Sequence, residues 1–132
     1  MKTEFINPPT LTTPTGYSHL AVVQSGRQLH VAGQVSLDAA GQVVGKGDLA
    51  AQADQVYGNL AKALEAGGAG IKDVFKAVTF VVNLDPDKAK AIRAVRAKYF
   101  GSGPYPAGTM VGVTSLVHPD LMIEIEAIAA LD

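Results

Sequence analysis

Residues 122–130 read Met-Ile-Glu-Ile-Glu-Ala-Ile-Ala-Ala, and the alternation in this stretch organises the reading of the whole chain. Successive side chains of a strand leave opposite faces. Ile123, Ile125, Ala127 and Ala129 therefore share one face, and Met122, Glu124, Glu126 and Ile128 the other. The first set is expected to meet helices, which leaves both glutamates on the far face of the sheet. There they are either solvated or paired with lysines, as charged side chains commonly are, or Glu124 is a general base that activates water. A carboxylate in a cleft does this once burial raises its pKa towards neutrality.

Working outward, Val74–Val82 is rich in Val, Phe and Thr and reads as a buried strand. Asp85-Pro86 opens a helix with a capping acid followed by proline at the first helical position. Ala89, Ile92, Val95, Tyr99 and Phe100 form its apolar stripe, and Gly101 ends it. Pro104–Ala107 is a loop, Gly108–Val113 a strand and Leu116–Asp120 a turn.

Upstream, Asp48 is the expected N-cap of a first helix. Its apolar stripe is Leu49, Ala53, Val56, Leu60, Ala63 and Leu64, with Gln52, Asp54, Gln55, Lys62 and Glu65 opposite and Gly67-Gly68 as the stop. His19–Gln24 and Gln28–Gln34 read as a hairpin turning at Ser25-Gly26-Arg27, with Gly26 at positive φ. Val35–Gly47 holds turn signals, and residues 1–15 are an irregular lead-in. The expectation is one α+β domain over 1–132 in the order β-β-α-β-α-β-β, a mixed sheet with both helices on one face. The other face then carries apolar residues beside the glutamates. A monomer exposing much more than a few hundred Å² of such surface is unusual, so a homo-oligomer with ligand sites in its grooves is expected.

Composition narrows the function classes. Hydrophobic residues make up 48% of 132, which fits a packed core rather than disorder. The formal net charge of −1 comes without a dense basic run, so nucleic acid is not an expected partner. No stretch approaches the roughly 20 apolar residues of a membrane span, and Met1–Pro9 does not read as a signal peptide. There is no cysteine, which excludes a thiol nucleophile and fits a reducing cytoplasm.

Several segments together resemble the Rid (reactive intermediate deaminase, YjgF-type) family. They are Thr15-Gly16-Tyr17-Ser18-His19, Val31-Ala32-Gly33-Gln34, Gln52 with Asn59-Leu60, Asp73–Val81, Tyr99-Phe100, Pro104-Tyr105-Pro106-Ala107 and Ile123–Ala129. The resemblance implies a chorismate-mutase-like fold and a homotrimer with three clefts between subunits. It also implies cofactor-free hydrolysis of 2-imino or enamine acids to 2-keto acids and ammonia. By that resemblance Glu124 positions or deprotonates the attacking water, Tyr17 lines the cleft, and the backbone at Gly33 approaches the ligand.

One departure matters. Deaminating members follow Pro-Ala with an arginine that grips the substrate carboxylate, whereas this chain has Pro106-Ala107-Gly108. Ala32 also stands where the family has serine. Glycine offers no guanidinium fork. Arg27, Arg93 and Arg96 are replacements by residue type, although each is most simply solvated. His19, two residues from Tyr17, can face the same way and contribute to the cleft. Thr109, Thr114 and Ser115 can hydrogen-bond a ligand, but no histidine–acid pair is recognisable that would make any of them a nucleophile. His30 and His118 read as structural or exposed, and no histidine–acid set has metal-ligand spacing. Three functions remain open: a cofactor-independent hydrolase or deaminase of a small C–N compound, a non-catalytic small-ligand-binding trimer, and, with no support from the charge balance, a ribonuclease.

Overall fold

The computed structural model describes residues 2–132. In chain order these form β1 (Lys2–Ile6), β2 (Leu20–Gln24), β3 (Arg27–Val35), α1 (Leu49–Ala66), a short 3-10 turn at Ile71–Asp73, β4 (Val74–Val82), α2 (Pro86–Phe100), β5 (Ala107–Val113) and β6 (Ile123–Leu131). The order is the expected one with one strand added in front. The architecture is α+β, with two helices against a mixed sheet. No helix among the described residues is long and apolar enough to cross a membrane.

The alternating stretch becomes an inner strand of a four-stranded sheet ordered β3-β6-β4-β5. β6 is antiparallel to both neighbours, and β4 runs parallel to β5. Parallel neighbours need a crossover connection, and α2 provides it. Ile123, Ile125, Ala127 and Ala129 are buried against Ala53, Val56, Tyr57, Leu60 and Leu64 of α1 and Ile92 and Val95 of α2. The pleat therefore points as the alternation requires, and Glu124 and Glu126 lie on the face without helices. Burying each of the larger aliphatic side chains is worth roughly 1.5–3 kcal/mol.

The helix ends follow their local chemistry. Asp48 Oδ1 accepts from Ala51 N–H at 3.1 Å, and Asp85 Oδ1 accepts from Lys88 N–H at 2.8 Å. At the end of α1, Gly68 has φ +84° while Ala69 N–H reaches back to the Leu64 carbonyl at 2.9 Å. This is the reach-back bond that the left-handed residue makes possible.

Three expectations are corrected. Residues 1–15 are not wholly irregular, because β1 pairs with β2 from Lys2↔Gln24 to Ile6↔Leu20. β2 and β3 do not form a hairpin: β2 pairs with β1 in a separate sheet, and β3 pairs with β6. Gly26 is not at positive φ. Its small size serves instead, since a β-carbon there would stand 3.0 Å from the Asp132 backbone, and its N–H donates to the Leu131 carbonyl at 3.1 Å. The third correction concerns Gln52, placed by periodicity on the polar side of α1 but fully buried. Its Nε2 donates to the carbonyls of Asp120 at 2.9 Å and Gly45 at 3.2 Å, and its Oε1 accepts from Met122 N–H at 2.8 Å. A buried amide satisfied in this way is stabilising rather than costly.

Candidate functional site

The segment Thr15–Ser18 is laid along the edge of the sheet by its own small residues. Gly16 has φ +71°, a conformation that glycine adopts without penalty. A β-carbon on it would stand 3.4 Å from Arg96 Nη1 and 3.5 Å from Arg93 Cδ, so both α2 arginines pack beneath this segment. Arg96 Nη1 donates to the Gly16 carbonyl at 2.9 Å and Arg96 Nε to the Tyr57 hydroxyl oxygen at 3.1 Å. Buried Ser18 donates its N–H to the Pro106 carbonyl at 2.8 Å and its hydroxyl to the Tyr105 carbonyl at 2.5 Å. These bonds hold Tyr17 against β5, where a β-carbon on Gly108 would meet Tyr17 Cβ at 3.4 Å.

Tyr17 separates two hollows. On the helix side is a cavity of about 380 Å³ lined by Tyr17, Thr79, Arg93, Arg96, Phe100 and Gly108, among others. On the outer side is a groove of about 380 Å³ that includes Tyr17, His19, Phe75, Lys76 and Thr109. His19 meets Tyr17 edge to face, with ring centroids 5.2 Å apart. Its Nε2 lies 2.7 Å from the Thr12 carbonyl, which only accepts, so that nitrogen carries the proton.

The second cluster lies on β3 and β6. Between Val31↔Ala127 and Gln34↔Ile125 the register shifts, so Ala32 and Gly33 together oppose the single residue Glu126. This is a β-bulge, a device that bends a strand and re-aims its side chains. Glu124 reaches from β6 across the bulge. A β-carbon on Gly33 would come 2.6 Å from Glu124 Oε1 and 2.8 Å from Cδ, so glycine is required for the carboxylate to lie there. The half-buried Glu124 carboxylate makes no hydrogen bond or ion pair with any described residue. Ala32 is exposed, and its carbonyl accepts from Gln34 Nε2 at 3.1 Å.

Within one chain the two clusters are apart. β4 stands between β5 and β6, which separates their backbones by about 10 Å at ordinary strand spacing. Gly108 is in register with Ala77 and through it with Ala127, on the helix side, whereas Glu124 is in register with Phe80, on the open side. Tyr17, His19, Gly108 and Thr109 thus gather at one place, and Glu124, Gly33 and Ala32 at another. Arg93 and Arg96 do not fit the simple solvated reading, because both are half-buried and line the helix-side cavity. Their spacing of three, flanking the buried Ile92 and Val95, is the signal that places them on the inward side of α2. His30 touches Gln28, and His118 Nδ1 accepts from Asp120 N–H at 3.1 Å, so neither joins a cluster.

The chain is similar to known proteins over nearly its whole length. The model of the family described as Endoribonuclease L-PSP matches residues 9–131. A RutC family protein of Synechocystis sp. is 31% identical over 132 residues, covering 99% of this chain and 98% of its own. A 2-iminobutanoate/2-iminopropanoate deaminase of Dermatophagoides farinae is 31% identical over 128 residues, covering 96% and 95%. Among solved structures, a Yersinia pestis protein of unknown function from the conserved Rid protein family superposes with a TM-score of 0.92 at 45% identity, over 99% of this chain and 100% of that one. TdcF of E. coli, solved with bound serine, superposes at 0.71 with 26% identity, over 83% and 85%. The fold is thus the YjgF, chorismate-mutase-like one, and the chain belongs to the Rid family.

Proposed function

We propose that this protein is a cofactor-independent hydrolase of small imines or enamines, working in clefts between the subunits of a homotrimer. The observation that carries the reading is the Glu124 carboxylate, which lies over Gly33 on the open face with no hydrogen-bond or ion-pair partner among the described residues. The deaminase relative at 31% identity supports the reaction class. In the proposed chemistry Glu124 takes a proton from water as the oxygen adds to the C=N carbon. It then returns that proton to nitrogen. As the C–N bond of the resulting carbinolamine breaks, its hydroxyl proton passes to nitrogen through Glu124, leaving a carbonyl and ammonia, so atoms and charge balance without metal or organic cofactor. Such a positioned base contributes about 10²–10⁴-fold.

The trimer reading rests on two arguments. The open face carries Val78, Phe80, Val111 and Ile128 around the glutamates, and such a face favours burial against other copies. The Tyr17 and Glu124 clusters also need a second chain to form one site, with Tyr17, His19 and Thr109 lining the ligand beside Gly33 and Ala32. Because Gly108 presents no guanidinium from β5, turnover of simple 2-imino acids is expected to be weak or altered. The same glycine favours a second reading, a ligand-binding trimer without turnover. The net charge of −1 gives ribonuclease activity no support. A cytoplasmic setting belongs to the proposal and fits a cysteine-free chain.

The test generates 2-iminopropanoate or 2-iminobutanoate in situ and follows its hydrolysis with wild type and Glu124→Gln. Loss of at least ~100-fold in the variant supports the hydrolase, and equal rates refute it. No turnover by wild type together with a ligand-induced rise in melting temperature favours the binding reading. Light scattering that finds a monomer at micromolar concentration rules out the trimer.

A further inference from the structure

The helix-side cavity has a chemistry that the Glu124 reading does not use. Two guanidinium groups line it, and no Asp or Glu does. Arg96 is tied to the Gly16 carbonyl and the Tyr57 hydroxyl. Arg93 shares the wall and makes no hydrogen bond or ion pair with any described residue. A half-buried cation without a counter-charge is costly, and an anion seated against it offsets that cost. Thr79, only 2% exposed, adds a hydroxyl, while Phe100 and Met110 offer apolar surface. At about 380 Å³ the cavity falls within the usual ~300–1,000 Å³ of small-molecule sites.

We infer that this cavity binds the carboxylate of a small organic acid, with Arg93 on α2 as the residue that grips it and Arg96 as a positioning residue. The planar guanidinium suits a carboxylate because it offers two parallel N–H donors. Arg96 acts indirectly. Its bonds hold the Gly16 segment over α2, and the Arg93 stem packs against that same segment. Gly108 opposite adds no side chain, so the space is left for the acid rather than for a group from β5. The carboxylate is then held from the helix instead of from the sheet, which changes where the rest of the ligand lies. The choice of a 2-oxo acid as probe rests on the hydrolase reading. The anion-binding argument itself does not.

The experiment is calorimetric titration of the full-length protein at about 0.15 M ionic strength with 2-oxobutanoate and with its neutral counterpart butanone. Wild type should bind the acid and not the ketone. Arg93→Gln should weaken binding ~10–100-fold, the range for a charge-assisted hydrogen bond. Arg93→Lys should recover only part of it, because a point charge does not reproduce the fork. Lys98→Gln, which removes an exposed charge of α2 outside the cavity, should bind as wild type does. Should Arg93→Gln fail to fold, amide chemical shifts on titrating wild type decide the question, with movement expected at Gly16, Thr79 and Gly108. Absence of binding by wild type at millimolar acid overturns the inference. So does unchanged affinity in Arg93→Gln, or shifts confined to Gly33 and its neighbours. Arg93-dependent binding without imine hydrolysis would sink the hydrolase reading and leave this one standing. Equal hydrolysis and equal affinity in wild type and Arg93→Gln would do the reverse.

Discussion

The Glu124 carboxylate lies directly over Gly33, so close that a β-carbon there would stand 2.6 Å from Oε1 and 3.0 Å from Cγ. The bulge at Ala32-Gly33 and the glutamate of the neighbouring strand are therefore one arrangement: the first clears the space that the second occupies. Gly33→Ala should expel the carboxylate from its position. Gly33 is not at positive φ, so alanine strains no backbone there. The glutamate end is flexible and partly solvated, so stability should change by less than ~1 kcal/mol. If Glu124 is the base of the proposed hydrolase, turnover should fall ~10–100-fold, because small misplacement of a catalytic group is expensive. Thermal melts read beside imine hydrolysis rates separate the two effects, and a rate equal to wild type would sink the argument.

The cavity under Tyr17 yields a rescue prediction. A β-carbon on Gly108 meets Tyr17 Cβ at 3.4 Å, an ordinary contact, so a longer side chain can enter from β5. In an Arg93→Gln background, Gly108→Arg should restore 2-oxobutanoate affinity to within ~10-fold of wild type, since either element then provides a planar fork. Titration calorimetry on the single and double variants checks this.

Gln52 joins three backbone groups from two loops and the approach to β6. Gln52→Leu keeps the bulk and leaves two carbonyls and one N–H without their partner. The expected loss is about 2–4 kcal/mol, given about 1–3 kcal/mol for each buried group left unpaired and partial access to water for some. Urea unfolding should record it as a lower midpoint with little change in slope.

Tyr99 donates its hydroxyl to Asp54 Oδ1 at 2.8 Å, and its ring stacks on Tyr57 at 5.0 Å. Burial first, then the Asp54 hydrogen bond and charge, push its pKa up from 10.0 to about 12. The shift is upward, so the neutral phenol is the form that the fold prefers. Its stabilisation is complete below the unfolded value near 10 and fades as pH rises through about 12. Tyrosinate absorbance should therefore include a component with a midpoint of about 12. That component should be missing in Tyr99→Phe, whose stability should also fall less steeply across this interval.

What a residue does to its own stretch of chain was legible in the sequence. The alternation of 122–130, the capping aspartates 48 and 85, and the apolar stripe through Ile92 and Val95 all survive in the structure. Each is set by pleat, helical pitch or a bond to a neighbour a few residues away. Pairing was not legible. Ser25-Gly26-Arg27 has the composition of a hairpin turn, yet β2 leaves for β1 and β3 for β6, because the choice of partner depends on strands distant in sequence. Gln52 and the arginines misled for a related reason. Polarity marks a side chain as needing partners, and those partners can be water or a buried carbonyl. Only the packing of α1 and α2 decided that Gln52 would meet Asp120 and Met122, and that Arg93 and Arg96 would face a cavity instead of solvent. The candidate site divides along the same line. Glu124 and Gly33 were readable as residues of interest, but their overlap, and their separation from Tyr17 by the width of β4, come from register, which no single segment encodes.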